Sequence, residues 1–222
     1  MRMCIKYCKI CGNEFNAQKK KYNCCSVRCA RISLKNKVYG RGINDVDFPI
    51  KVNGEHINSY KVWRGMFNRC YAKNDLPHIK AYSDVTVCTD WWRFSKFLEF
   101  YNSHYIEGYV LDKDICRSTK NRMYCPENCA FIPKNINNLF RASRVHFIDK
   151  KPDKNGMYDA RLNIWGSDCT IGKYKTLNEA FLVYKKAKED YIKEVAEFYF
   201  GKGLIEERVY NALIKYEVNI ND

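Results

Sequence analysis

Four cysteines near the N-terminus constrain this chain more than any other feature. Two residues separate Cys8 from Cys11, Gly12 follows at once, and three residues separate Cys25 from Cys29. A Cys-x2-Cys turn closed by glycine bends two thiolates toward one point. A second pair four positions apart suits the first turn of a helix, where such side chains share a face. Four thiolates arranged in this way define the closed tetrahedral site of structural zinc. So short a segment cannot hold a core unaided, so metal binding would supply much of its folding energy. Cys24 could replace Cys25. Cys25 is preferred because it opens a Cys-Ser-x-x-Cys unit.

Charge singles out the same segment. The chain of 222 residues has a formal net charge of +14. Residues 1–41 carry eleven Lys and Arg against the single acid Glu14, whereas residues 42–143 carry fourteen against eleven and 144–222 fourteen against thirteen. A concentrated basic block is the electrostatic footprint of phosphate binding. Lys19, Lys20, Lys21, Arg28 and Arg31 are its candidate DNA contacts. The other seven of the twelve cysteines stand singly in largely apolar contexts, as buried thiols do. No charged-then-apolar leader and no membrane-length apolar run is visible. The expectation is a protein of a reducing cytoplasm with no membrane partner.

The fold class expected is α+β in three parts. Residues 1–41 form the basic zinc knuckle, and Tyr39 to Asp45 reads as a linker. Residues 42–143 form a core. Within it Tyr60, Trp63, Phe67 and Cys70 recur at helical spacing, Val85–Cys88 reads as a short strand, and Asp90 caps a helix bearing Trp91, Phe94, Leu98 and Tyr101. Residues 144–222 read as three short strands, Val145–Ile148, Asp159–Ile164 and Cys169–Tyr174, with turns at Gly156 and Gly166-Ser167-Asp168. A helix follows, opened by the capping box Thr176/Glu179 and carrying Ala180, Tyr184, Ala187, Tyr191 and Val195 on one side. One more short helix is expected within Leu204–Tyr216.

Two stretches carry family resemblances. Tyr158-Asp-Ala-Arg161-Leu, Ile164-Trp-Gly166, Ile171-Gly172-Lys173-Tyr174 and Thr176-Leu-Asn-Glu179-Ala180, with Tyr184 and Ala187, resemble the ethylene-response-factor type of DNA-binding domain. That resemblance implies a three-stranded antiparallel sheet packed on a helix, with the sheet in the major groove. It makes Arg161, Trp165, Lys173 and Lys175 candidate contacts. The stretch Val145-His-Phe-Ile148 departs from the family's Gly-Val start.

Leu111-Asp112-Lys113-Asp114-Ile115, Pro126-Glu127-Asn128-Cys129 and Asn135-Ile-Asn137-Asn138 look like the HNH nuclease motif. The resemblance implies a two-stranded hairpin and a helix around one divalent ion, Mg2+ or Mn2+. It makes Asp112, Lys113, Asp114, Asn128 and Asn138 the candidate catalytic residues, with Asn135 an alternative to Asn138. The family's strand ends in Asp-His or His-His, and here Asp112-Lys113-Asp114 stands instead. Alternation along a strand would place both aspartates on one side. The general base would then be Lys113, a carboxylate or His104. The order of knuckle, HNH-like core and response-factor-like domain is similar to that of homing-type HNH endonucleases of phages.

Three functions follow as alternatives: a metal-dependent DNA endonuclease, a DNA-binding protein on a catalytically dead HNH scaffold, or a phage protein that binds and inhibits a host or defence protein. The first two take double-stranded DNA as partner.

Overall fold

The computed structural model of the protein describes residues 4–17, 22–34, 37–72, 82–116, 122–140 and 152–219. The fold is mixed α+β with small sheets. The chain forms two compact units, Met1–Tyr105 with Thr119–Pro126, and Ile106–Ser118 with Glu127–Asp222. Residues 42–143 thus contribute to both.

Unit 1 opens with an antiparallel pair, β1 (Cys4–Tyr7) and β2 (Glu14–Ala17), and the helix α1 (Val27–Leu34). A small hairpin follows, β3 (Lys51–Val52) with β4 (Glu55–His56), and then the helix α2 (Asn58–Tyr71). Of the stripe expected on this helix, Tyr60, Trp63 and Phe67 are buried, Cys70 is only partly covered, and Met66 joins the buried side. Strand β5 (Thr86–Val87) precedes a 3-10 turn at Asp90–Trp92 and the helix α3 (Phe94–His104). The core is aromatic. Trp63 lies 4.9 Å from Phe67 and 5.4 Å from Phe94, ring centre to ring centre, and Trp91 meets Phe97 edge-on at 5.2 Å. The Trp63 indole is fully buried, and its N–H donates to the carbonyl of Trp91 at 2.7 Å, so the polar atom is satisfied.

Two local expectations change here. Asp90 opens the 3-10 turn rather than the helix. The first turn of α3 is capped from elsewhere in the unit: Asp45 accepts the Ser95 amide at 2.9 Å and its hydroxyl at 2.6 Å. The buried side of α3 is Phe94, Phe97, Phe100 and Tyr101, with Leu98 at its margin. The stretch expected as a linker is anchored as well. Ile43 donates to the Trp92 carbonyl at 2.7 Å and accepts from the Phe94 amide at 3.0 Å. Gly42 lies so close to Trp63 that a Cβ there would come within 2.8 Å of the indole.

Unit 2 contains β6 (Val110–Asp112), which pairs antiparallel with β8 (Ala130–Ile132), followed at once by the helix α4 (Lys134–Leu139). Between these two strands in sequence lies β7 (Met123–Tyr124), which belongs to unit 1 and pairs in parallel with β5. Next come β9 (Tyr158–Ile164) and β10 (Ser167–Tyr174), an antiparallel hairpin, then the long helix α5 (Leu177–Gly201) and the short helix α6 (Glu207–Ile214). The capping box is present in both directions, Thr176 with Glu179 at 3.2 Å each way. One core joins these elements: Ala130, Ile132 and Ile136 belong to the same cluster as Ala160, Leu162, Tyr191, Ile192 and Val195.

The first expected strand of the C-terminal sheet, Val145–Ile148, lies outside the described residues. The described hairpin has two strands, and its turn falls two residues before the Gly166–Asp168 stretch is complete. Trp165 and Gly166 both have positive φ, 49° and 91°, as a two-residue type I′ hairpin turn requires. A tryptophan is strained there. Its amide donates to the Tyr191 hydroxyl at 2.8 Å, and its ring packs edge-on against Tyr191 and Phe198, which fixes the turn onto α5.

Candidate metal centre and basic surface

The metal centre grows from two local structures in unit 1. The β1/β2 hairpin turns through Cys8 to Gly12. Gly12 has φ +76° and donates to the Cys8 carbonyl at 2.8 Å, while Cys8 donates to Asn13 at 2.9 Å. A further bond from the Lys9 amide to the Asn23 carbonyl, 3.0 Å, brings the second cysteine pair alongside. Ser26 then caps α1: its hydroxyl accepts the Cys29 amide at 3.2 Å and its carbonyl the Ala30 amide at 2.9 Å. Cys25 and Cys29 thereby flank the first turn, as their spacing implied.

The sulfurs of Cys8, Cys11, Cys25 and Cys29 all lie within 4.8 Å of one another. Cys11 and Cys25 are 3.4 Å apart, and Cys25 and Cys29 3.7 Å. A tetrahedron with metal–sulfur bonds of about 2.3 Å has edges of about 3.8 Å. The cluster is thus positioned to hold a metal ion and fits structural zinc. Cys24 stands aside and packs in the small core of Cys8, Ile10, Cys29 and Ile32.

The thiols of the cluster are perturbed in opposite directions. Burial works to raise the Cys8 pKa, but the amides of Cys11, Cys25 and Ile10 aimed at its sulfur outweigh this and bring it to about 6. Crowding by the neighbouring thiol of Cys11, together with burial, pushes Cys25 up to about 12. Without a cation the four sulfurs repel one another as thiolates, and the cluster keeps protons that a divalent metal would displace.

Around this centre, Arg28 and Arg31 are exposed on α1, whereas Cys29 and Ile32 of the same helix are buried. Arg28 pairs with Asp47 at 3.4 Å, both well exposed, an attachment worth about 0–1 kcal/mol. Lys19, Lys20 and Lys21 lie outside the described residues.

The candidate contacts on the β9/β10 hairpin are placed differently. Arg161 is bound to Asp159 at 3.0 Å, and Lys173 to Asp153 at 2.9 Å and to Asp159 at 3.2 Å. Lys173, with the amides of Met157 and Asn155, holds the Asp153 carboxyl down at about 2. Two of the four expected cation and aromatic contacts are therefore already matched to carboxylates. Trp165 is half-exposed in the turn, and Lys175 is exposed beside the start of α5.

In the β6–β8–α4 piece, β6 ends at Asp112, so strand alternation does not continue to Asp114. Asp112 folds back on the following turn: one carboxylate oxygen accepts the amides of Asp114 and Ile115, each at 2.8 Å. Burial raises its pKa against the pull of those two amides. Lys113 is 3% exposed and meets Asp114 at 2.6 Å. The two aspartates are thus committed to a turn and an ion pair, a poor fit to a shared divalent-cation site. Asn128 is buried, Asn138 is exposed on α4, and Asn135 donates to the Tyr199 hydroxyl. His104 belongs to unit 1, with Nδ1 2.9 Å from the Phe100 carbonyl. Sequence reasoning missed Arg208, whose guanidinium donates to the carbonyls of Cys129 at 2.7 Å and Glu127 at 3.3 Å. No local pattern links α6 to that loop.

Comparison with family models, with curated proteins and with solved structures found no match. Among the described residues, no helix is long and apolar enough to cross a membrane.

Proposed function

We propose that this chain is a DNA-binding protein in which a zinc-stabilised N-terminal module supplies most of the grip. The observation that carries the reading is the coincidence of two features in residues 1–41: the four-cysteine cluster and +10 of the net charge of +14. A bound metal would fix the backbone that displays Arg28 and Arg31. The pairing of Arg161 and Lys173 with aspartates supports giving the response-factor-like hairpin the smaller share. The test is binding of the full chain to short duplex DNA across a salt series. About five phosphate contacts would give a slope of log affinity against log salt near −4 or steeper. Absence of binding at low salt would overturn the reading and leave a protein-binding inhibitor as the alternative.

A nuclease is the second reading, favoured by the antiparallel strand pair β6/β8 running directly into α4, the order the HNH resemblance implies. It would use Mg2+ or Mn2+ and route cleavage through Asp112, Lys113, Asp114, Asn128 and Asn138. The turn bonds of Asp112 and the Lys113–Asp114 pair weigh against efficient cutting. We expect supercoiled plasmid to remain uncut, or to be nicked slowly, with either ion. Fast cleavage by the parent that disappears in Asp112→Ala and Asp114→Ala, with binding intact, would favour the enzyme.

A further inference from the structure

A second cationic surface lies in unit 1, outside the zinc cluster, where Arg41, the last cation of the N-terminal basic block, meets Arg64 of α2. The turn Val38–Gly42 is laid along one side of α2. Its Tyr39 takes the Arg64 guanidinium over its ring at 6.0 Å, while its own Arg41 sits over the rings of Tyr71 at 4.7 Å and Trp92 at 5.2 Å. The exchange is reciprocal: turn and helix each give one arginine and one tyrosine. Arg64 and Tyr71 are seven residues apart, two turns of helix, so they share a side of α2.

The charges here are held differently from others in the molecule. Among the described residues, the ion pairs of unit 1 engage Arg28, Lys61, Lys96 and Arg122. Arg41 and Arg64 are exposed and rest on aromatic rings instead. A ring face orients a guanidinium without neutralising it, and leaves the N–H edge of the fork directed outward. Such a fork matches a phosphate with two parallel hydrogen bonds. Arg64 and Tyr71, the helix residues at the two ends of this arrangement, are roughly 10 Å apart along the axis of α2. Phosphates of one DNA strand wind around the duplex and stand farther apart through space than their rise of about 3.4 Å along its axis, so a span of this order covers one to two nucleotide steps. Gly42, pressed against Trp63, holds the turn in place.

We infer that Arg41 and Arg64, braced by Tyr71, Trp92 and Tyr39, form a two-point clamp on the phosphate backbone of the bound duplex. The inference rests on the DNA-binding reading above and extends the binding surface to α2.

The experiment compares the parent with an Arg41→Gln/Arg64→Gln double variant on a short mixed-sequence duplex across a salt series. Zinc content and thermal melting are measured in parallel. The clamp predicts that the slope of log affinity against log salt flattens by about two, one per lost phosphate contact. Affinity at low salt falls roughly tenfold or more, while zinc content stays the same. A second measurement uses the parent alone: phenylglyoxal labelling with mass mapping, in which duplex DNA must protect Arg41 and Arg64. If the variant does not melt cooperatively, this footprint decides. A parent that binds, with an unchanged slope in the variant or unprotected arginines, overturns the clamp and leaves the zinc-module reading standing. A parent that does not bind DNA overturns both.

Discussion

Cys24 and Cys25 are adjacent in sequence and have different fates. Cys25 meets Cys11 and Cys29 at 3.4 and 3.7 Å, whereas Cys24 packs among Cys8, Ile10 and Ile32. Cys25→Ser should therefore lose the metal, and Cys24→Ser should keep about one zinc per chain. Elemental analysis of the two variants, purified without chelator, checks this; equal zinc in both would show that the ligand set is wrong. The four cysteines were legible because spacing along a turn and a helix is local information. The placement of Asp112 and Asp114 was not legible, for the opposite reason. Their alternation presumed a strand that continues, and the strand stops where the Asp112 carboxylate bonds to the next two amides but one.

Elements stabilised by their own sequence were the legible ones. The stripe Tyr60, Trp63, Phe67 marks α2, and Thr176/Glu179 marks the start of α5, because periodicity and capping act within a few residues. The cap of α3 was hidden because Asp45 comes from 50 residues away, and the parallel pairing of β5 with β7, Thr86 with Met123, is likewise non-local. The hairpin β9/β10 shows how an element's charges can be drawn inward. Lys173 ties it to Asp153, whose folded pKa of about 2 lies below the ordinary aspartate value of 3.8. A carboxyl depressed by folding stabilises the fold above its unfolded pKa and loses that contribution as pH falls through its folded value. Stability from Asp153 should thus be full at neutral pH and disappear between about pH 4 and pH 2. Asp153→Asn should melt lower than the parent at pH 7, with the difference closing toward pH 2. A difference that persists unchanged at pH 2 would show that the carboxylate's charge is not what matters.

For the whole molecule the governing fact is the uneven charge. Residues 42–222 are close to neutral, and the excess is concentrated where four thiolates can bind a cation. Composition made that asymmetry plain. It could not show that Arg161 and Lys173 are paired with aspartates, or that Arg41 and Arg64 are stacked on aromatic rings, since both arrangements depend on which segments fold against each other. The account's central claim is that metal binding organises this charge for DNA. Its most direct test is the salt dependence of duplex binding by the zinc-loaded parent and by Cys11→Ser, with zinc measured in both. The account predicts a steep slope for the parent, loss of zinc in the variant, and a slope flattened by about two as Arg28 and Arg31 lose their fixed positions. A variant without zinc that binds with the parent's affinity and slope would contradict it, because the basic residues would then act as an unstructured charged tail.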